Sequence, residues 1–257
     1  MSARLRSSST LWSVYEHLAM GVGLGTLALL CLAWLPLATA LRPVLPRAWG
    51  SSLGRMAIMR GFQCYMGVLR LLCACRFDVE AMDALREQGP MVIVANHPSL
   101  LDAVLITSRL PHAVCVMKAD VMDNPLLGAG ARLAGYVRND TPLHVVLRCR
   151  EALRGGTQVV IFPESTRTVG YPANLLNPLS RTAALIASRA SVPVQTLLIE
   201  FSSPYLGKGW PLWRPPSLPL TCRIRLGQRF DARLDPRALT AELEAHLRAE
   251  LAHPRTS

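Results

Sequence analysis

The chain has 257 residues and a formal net charge of +11, with 51% hydrophobic residues and a mean hydropathy of +0.26. This length fits one large α/β domain with a terminal appendage and is short for two full catalytic domains. The basic charge favours an anionic partner, and the apolar content favours a membrane surface over nucleic acid. The arginines are dispersed without interleaved aromatic residues, so no nucleic-acid partner is expected.

The seven cysteines are an odd number at irregular positions, mostly inside apolar runs. They do not form a disulfide framework and are typical of reduced, buried thiols in a protein that faces the cytosol. Cys73 and Cys75 have no second pair of metal ligands nearby in the sequence, so no metal site is expected.

The N-terminal 76 residues are predicted to form a membrane-associated helical segment. Residues 1–17 are expected to be a poorly ordered tail or the start of a helix. No charged residue occurs between Leu18 and Leu41, and a helix of that length spans roughly 36 Å, enough for a bilayer core of about 30 Å. Pro36 and the prolines and arginines of residues 42–47 are expected to end this helix.

Two other interpretations of this apolar run stay open. Residues 38–40, Ala-Thr-Ala, resemble the cleavage site of a signal peptide. Alternatively, the run forms a hairpin that lies in one leaflet. Residues 51–76 are apolar but interrupted by four arginines, which predicts either an interfacial helix or a helix packed on the core of the domain.

Residues 77–257 are predicted to form a single catalytic domain in which short strands alternate with amphipathic helices. Strands are predicted at residues 90–95, 113–117, 158–162, 193–201 and 221–230. Helices are predicted at residues 99–109, 125–133, 141–154, 179–189 and 236–251. This alternation implies an α/β fold with a mostly parallel sheet flanked by helices. Residues 202–219 form a loop, where Trp210 and Trp213 face a membrane interface or pack onto the domain.

The heptapeptide Asn-His-Pro-Ser-Leu-Leu-Asp at residues 96–102 lies between a strand and a helix. An aspartate in the first helical turn can hold and polarise the imidazole of a histidine that leaves a strand, which is the geometry of a general base. We therefore take His97 and Asp102 as candidate catalytic residues. The alternative is that Asp102 only caps the helix.

Two further strand ends carry polar residues. Glu164 and Arg167 follow the apolar strand at residues 159–161, which gives an acceptor for hydroxyl groups and a planar donor for a phosphate. The alternative is a surface ion pair between these two residues. Lys118, one of only two lysines, follows another strand and can provide a point charge for a phosphate, with Arg138 beside it.

These residues resemble the motifs of the glycerolipid and lysophospholipid acyltransferases, a family that includes the bacterial 1-acylglycerol-3-phosphate acyltransferases. Residues 96–102 resemble the first motif, N-H-x4-D. Residues 118–128 with 135–138 resemble the second, residues 162–167 (Phe-Pro-Glu-Ser-Thr-Arg) the third, and residues 192–194 the fourth. The resemblance covers residues 90–201 in the same order and spacing, and it implies an O-acyltransferase.

The resemblance implies a role for each matching residue. His97 would take the proton of the acceptor hydroxyl while Asp102 orients it, and the hydroxyl would attack an acyl thioester directly. The residues implied in substrate binding are Lys118, Arg138, Glu164, Ser165, Thr166 and Arg167. No cofactor is expected besides acyl-coenzyme A or an acyl-carrier protein as co-substrate. Both donors are cytosolic, which places the enzyme at the cytoplasmic membrane with its catalytic domain facing the cytoplasm and its acceptor among the membrane lipids.

Two positions depart from the family pattern. Ser165 stands where the third motif has glycine, which costs on the order of 1 kcal/mol if the backbone there needs a positive φ. Asp120 stands where the second motif usually has glutamate. These departures leave open a lysophosphatidate acceptor, an acceptor of an aryl-polyene or other specialised lipid pathway, and a membrane-binding protein whose site has decayed.

Overall fold

A computed structural model of the chain describes residues 10–232 and 235–253. In this part of the chain seven strands form one sheet, in the order β1-β7-β6-β2-β5-β3-β4. The strands are β1 (Cys75–Asp78), β2 (Val92–Ala95), β3 (Ala113–Lys118), β4 (Val137–Asn139), β5 (Gln158–Ile161), β6 (Val194–Phe201) and β7 (Leu220–Phe230). All neighbours pair in parallel except β6 and β7. The predicted α/β fold with a mostly parallel sheet is therefore confirmed.

The helices cover both faces of this sheet. They are α1 (Thr10–Val44), α2 (Arg47–Leu72), α3 (Leu101–Thr107), α4 (Ala119–Asp123), α5 (Pro125–Leu133), α6 (Pro142–Arg154), α7 (Thr182–Ala190) and α8 (Pro236–Ala252), and a 3-10 helix spans Glu80–Leu85. The five predicted strands and five predicted domain helices are all present, with ends shifted by up to three residues. The 3-10 helix, α4 and the strands β1 and β4 were not predicted.

The central strand β2 shows how the core is divided. Its four residues are fully buried, and successive side chains point to opposite faces of the sheet. Ile93 and Ala95 join the apolar cluster formed with α2 and α3, whereas Val92 and Val94 join the cluster formed with α6, α7 and α8. A strand buried on both faces must be apolar throughout, which is why this run of residues was recognisable in the sequence.

The first two helices form an antiparallel pair, since Tyr15 near the start of α1 donates to the carbonyl of Leu72 at the end of α2. By length and composition α1 is able to cross a membrane, with a mean hydropathy of 2.1 over its most apolar stretch. Pro36 does not end this helix, because both Pro36 and Pro43 lie inside α1, but the helix ends at Val44, within the predicted range of residues 42–47. Packing outweighs the lost hydrogen bonds, since Ala38 is fully buried against Ala129 and Leu133 of α5. Of the predicted N-terminal tail, residues 1–9 lie outside the described residues.

The helix predicted up to Arg76 ends earlier, at Leu72. Ala74 has a φ of +47°, a left-handed conformation that stops the helix. The chain then enters β1, where Cys75 and Phe77 are buried and Arg76 is exposed. One face of α2, with Met59, Tyr65, Met66 and Leu69, is buried, as the core-packed interpretation predicts.

We expect Gly54→Ala to destabilise the protein, because α2 touches the end of α5 at this glycine. A Cβ at Gly54 would lie 2.6 Å from the backbone nitrogen of Ala134 and 2.8 Å from its Cα. The two helices must then separate, at a cost of about 1–3 kcal/mol. Thermal unfolding followed by circular dichroism in detergent measures the effect.

Gly61→Ala is the matched control, since Gly61 lies on the same helix with nothing within 4 Å of its added Cβ. There the gain in helix propensity is expected to raise stability by up to about 1 kcal/mol. Equal melting temperatures for the two variants would show that the contact between α2 and α5 does not hold the helices together.

Candidate active site

The chain leaves β2 through a side chain that continues the sheet. The fully buried Asn96 donates from Nδ2 to the carbonyl of Ile199 and accepts from its backbone nitrogen at Oδ1, both at 2.8 Å. The side-chain amide of Asn96 therefore makes the two hydrogen bonds to β6 that a further backbone residue of β2 would make. Because the backbone groups of Ile199 are bonded in this way, the main chain can turn out of the sheet at the next residue, His97.

His97 and Asp102 form the hydrogen-bonded pair that the sequence predicts. Nδ1 of His97 lies 2.8 Å from Oδ2 of Asp102, and the same oxygen accepts from the backbone nitrogen of Ser99 at 2.9 Å. The imidazole is 17% exposed and the carboxylate is fully buried. With the hydrogen of this bond on Nδ1, the lone pair is on Nε2, the nitrogen a general base uses.

Burial sets the electrostatics of this carboxylate. Burial raises the pKa of Asp102, while the hydrogen bond from His97, the Ser99 backbone nitrogen and the charge of Arg167 act in the opposite direction. Oδ1 of Asp102 is buried without a hydrogen-bond partner among the described residues. The negative charge of Asp102 is therefore compensated mainly by the imidazole, which favours a proton at Nδ1.

The face of the imidazole is covered by the first residue of the third motif. Phe162 stacks on His97 with ring centroids 4.1 Å apart and an interplanar angle of 19°. Phe162 follows β5, which pairs with β2, so the neighbouring strand ends bring the two rings together. Sequence reasoning missed this contact, although both residues lie in recognised motifs.

Glu164 holds the backbone of His97. Its carboxylate accepts from the backbone nitrogens of His97 and Asn177, both at 2.8 Å, and from the hydroxyl of Thr168 at 2.9 and 3.0 Å. Thr168 in turn donates its backbone nitrogen to the carbonyl of His97 at 2.7 Å. Burial raises the pKa of Glu164, and these donors oppose that shift. The side chain is 5% exposed, so its oxygens are engaged by the protein itself.

The next residues form a tight turn. Ser165 has a φ of +60°, the left-handed conformation that glycine adopts without strain, and its backbone nitrogen donates to the carbonyl of Phe162 at 3.3 Å. Its side chain is exposed, and that of Thr166 is half buried. The backbone therefore takes a conformation that favours glycine although the residue is serine.

Arg167 is attached to the loop between β6 and β7. Its Nη1 donates to the carbonyls of Leu206 and Gly207, each at 2.7 Å. Burial lowers the pKa of the guanidinium, and the charge of Asp102 opposes this shift. The alternative of a surface ion pair between Glu164 and Arg167 is wrong, because Glu164 is buried on other donors and Arg167 is bound to main-chain oxygens.

The remaining two predicted residues lie further along the same edge of the sheet. Lys118 is exposed at the end of β3, which is separated from β2 by β5 and is thus about 10 Å away. Arg138 on β4 forms an ion pair with Asp123, which keeps the pKa of that carboxyl below its usual range. The structure thus brings His97, Asp102 and residues 164–167 together and leaves Lys118 and Arg138 at the periphery.

Three contributors to the site had no signal in the sequence. Thr168 and Asn177 donate to Glu164, and the backbone carbonyls of residues 206 and 207 accept from Arg167. Asn177 and the loop are distant in sequence from the groups that they bind. In residues 10–232 and 235–253, no group of three or more potential metal-ligating side chains is found.

The chain is similar in sequence to known acyltransferases. Residues 76–200 match the family model described as Acyltransferase. The chain is 26% identical over 140 residues to a 1-acyl-sn-glycerol-3-phosphate acyltransferase of Helicobacter pylori, covering 51% of the chain and 58% of that protein. It is 35% identical over 130 residues to a lyso-ornithine lipid O-acyltransferase of Pseudomonas aeruginosa, covering 49% of each. The chain thus spans about half the length of these two relatives.

The fold is similar to a solved structure. The crystal structure of the 1-acyl-sn-glycerophosphate acyltransferase of Thermotoga maritima superposes with a TM-score of 0.66 at 18% identity, covering 90% of this chain and 96% of that one. The fold is an α/β fold with a histidine–aspartate pair at the carboxyl edge of its sheet. The matched family model and the similar proteins support the glycerolipid acyltransferase family for this chain.

We expect Glu164→Gln to lower stability, because one of the two carboxylate oxygens becomes an amide that faces hydrogen-bond donors. The loss should be about 2–3 kcal/mol, the cost of unsatisfied buried donors and a lost charge-assisted bond. Chemical unfolding of the purified protein measures it. Glu151→Gln, with a side chain 72% exposed, should change stability by less than about 0.5 kcal/mol. A similar small change for Glu164→Gln would remove Glu164 as the anchor of His97.

Ser165→Gly is expected to raise the free energy of unfolding by about 0.5–1 kcal/mol, because glycine relieves the strain of the left-handed backbone at some cost in chain entropy. Ser165→Ala should give no such gain, since alanine has the same backbone strain while also lacking the hydroxyl. Unfolding curves of the three proteins separate the two causes. Equal gains for both variants would assign the effect to the hydroxyl instead of the backbone.

Proposed function

We propose that this protein transfers a fatty acyl group from an acyl thioester to a hydroxyl of a lysophospholipid-type acceptor such as 1-acylglycerol-3-phosphate. The observation that carries the proposal is the pair of His97 and Asp102, with the imidazole fixed between a buried carboxylate and the ring of Phe162. Two relatives are named as acyltransferases of lyso-lipids, and these names support the same reaction.

In the proposed reaction Nε2 of His97 removes the proton of the acceptor hydroxyl as its oxygen attacks the thioester carbonyl. Asp102 holds the imidazole through Nδ1 and stabilises the imidazolium that forms. The tetrahedral intermediate then collapses, the carbon–sulfur bond breaks, and the leaving thiolate takes the proton from Nε2. The products are the ester and the free thiol, and His97 returns to its neutral form without an acyl-enzyme.

The other residues of the motifs act around this centre. Arg167, fixed beside the base by two carbonyls, attracts the acceptor's phosphate, and Lys118 and Arg138 add positive charge along the same sheet edge. Ser165 and Thr166 line the approach to His97. Glu164 acts through the backbone that it holds, so we assign it to positioning of the base.

The acceptor reaches the site from a membrane in this proposal. Apolar side chains of α1 and α2 point away from the domain, among them Leu29 at 68% and Leu71 at 82% exposure. An exposed apolar surface of this kind marks a site of membrane or protein interaction. The acyl donor is acyl-coenzyme A or an acyl-carrier protein, both cytosolic, so we place the domain on the cytoplasmic face of the inner membrane.

His97→Ala is expected to lower the rate of acyl transfer by about 10²–10⁴-fold, the usual contribution of a general base. Asp102→Asn should reduce the rate by a smaller factor, because the imidazole keeps a neutral partner and loses the charge that stabilises imidazolium. The test is release of free thiol by purified protein with lysophosphatidate, together with lipid mass spectrometry of cells that carry each variant.

His144→Ala provides the control, since partly exposed His144 in the first turn of α6 pairs with Asp140, just before that helix, at the same separation of 2.8 Å. That variant should retain wild-type rates and lipids. A folded His97→Ala protein that transfers acyl groups at near wild-type rates would refute the proposed mechanism.

A further inference from the structure

The loop between β6 and β7 is attached to the turn that carries the base. The hydroxyl of Ser99 donates to the carbonyl of Tyr205 at 2.8 Å, and the backbone nitrogen of Leu100 donates to the carbonyl of Leu206 at 3.1 Å. Two more bonds to this segment come from Arg167. Residues 205–207 are therefore held from two sides, and the residues that follow them have a fixed position relative to His97.

A cavity of about 90 Å³ lies between this loop and the segment that follows the third motif. Six of its lining residues are Thr168, Gly170, Tyr171, Gly207, Lys208 and Trp210. The backbone nitrogen of Thr168 donates to the carbonyl of His97, which places one wall next to the base. A water molecule needs about 10–15 Å³ by the same measure, so the cavity accepts a group as large as a phosphate.

The walls of the cavity are fixed before any ligand binds. The hydroxyl of Tyr171 donates to the carbonyl of Phe201 at 3.1 Å and accepts from its backbone nitrogen at 3.0 Å. Nε1 of Trp210 donates to the carbonyl of Arg214 at 2.9 Å, and the guanidinium of Arg214 lies 4.3 Å from the centroid of the Trp210 ring. Little side-chain entropy is lost when such walls receive a ligand.

Lys208 is the charged residue among those that line the cavity. It stands between two glycines, and Gly209 has a φ of +77°, so the chain turns sharply there. Within the described ranges, no carboxylate forms a salt bridge with Lys208, whereas Arg138 is paired with Asp123. The ammonium group is thus available as a compact point charge, the form in which lysine binds phosphate groups.

We propose that Lys208 binds the phosphate headgroup of the lyso-lipid acceptor in this cavity. The inference rests on the proposed function and adds to it a specificity-determining residue outside the recognised motifs. Arg167 holds the loop through the carbonyls of Leu206 and Gly207, and the loop in turn positions the next residue, Lys208. The site therefore selects an acceptor with net negative charge over one whose headgroup is zwitterionic.

Kinetics with two acceptors test the proposal. For lysophosphatidate, Lys208→Met is expected to raise KM by roughly 10–100-fold with little change in kcat, the effect of losing one charge-assisted bond. For lysophosphatidylcholine, whose phosphate carries a compensating cation, KM should change by less than about threefold.

Lys208→Arg should restore most of the affinity for lysophosphatidate that Lys208→Met loses. Arg154→Met, which removes an exposed cation at the far end of α6, should match the wild type. Unchanged KM for lysophosphatidate in Lys208→Met would overturn the proposal.

A binding measurement separates this inference from the proposed function. The chain has only two lysines, Lys118 and Lys208, so modification by an amine-reactive reagent can be mapped cleanly by mass spectrometry. Lysophosphatidate in micelles should slow the labelling of Lys208 in the full-length wild-type protein, and lysophosphatidylcholine should not.

This protection does not depend on turnover. Protection of Lys208 without acyl transfer would support the binding site and count against the proposed reaction, whereas acyl transfer without protection would overturn the binding site alone. Inorganic phosphate at the same concentration is expected to give no protection. Equal protection by inorganic phosphate would overturn the assignment to a lipid headgroup.

Discussion

The main chain of His97 is clamped by the segment that follows β5, and the rest of the site depends on this clamp. Glu164 accepts the backbone hydrogen of His97, and Thr168 donates to its carbonyl. Both polar backbone groups of the histidine are therefore satisfied by one neighbouring turn. Asp102 orients a ring whose point of attachment is already set. Since β2 and β5 are adjacent parallel strands, the short turn between Phe162 and Thr168 is enough to bring Glu164 and Thr168 to the main chain of His97.

Hydrogen bonds explain how the carboxylates of Glu164 and Asp102 can be buried in a basic protein. An unpaired buried charge is strongly unfavourable, and a carboxylate that accepts several hydrogen bonds is not. Glu164 receives donors on both oxygens, so its charge is shared with the main chain of His97 and Asn177. Asp102 receives its donors on one oxygen and remains the less compensated of the two. Both oxygens of Glu164 accept hydrogen bonds, whereas only Oδ2 of Asp102 does, from His97 and from the backbone of Ser99.

Sequence predicted the parts of this site that are local. The apolar run of β2 ends at residue 95, the following heptapeptide has the spacing of a histidine–aspartate pair, and both signals act over fewer than ten residues. The sequence indicated a possible positive φ at Ser165, because the third motif of the family has glycine at this position. The loop contact of Arg167 was not foreseen, since its acceptors lie 39 and 40 residues away and are carbonyls, which carry no sequence signature. Strand β1 was missed because its four residues are alternately buried and exposed, so it lacks the continuous apolar run that marks β2 and β5.

In the proposed reaction, the interaction between the imidazole of His97 and the stacked ring of Phe162 changes as the imidazole gains a proton. Neutral imidazole stacked on a benzene ring is held by dispersion and by excluded water. When the ring nitrogen gains a proton, the same geometry places a delocalised cation over the negative face of the aromatic quadrupole at 4.1 Å. In the proposed reaction this contact therefore strengthens as positive charge develops on the imidazole.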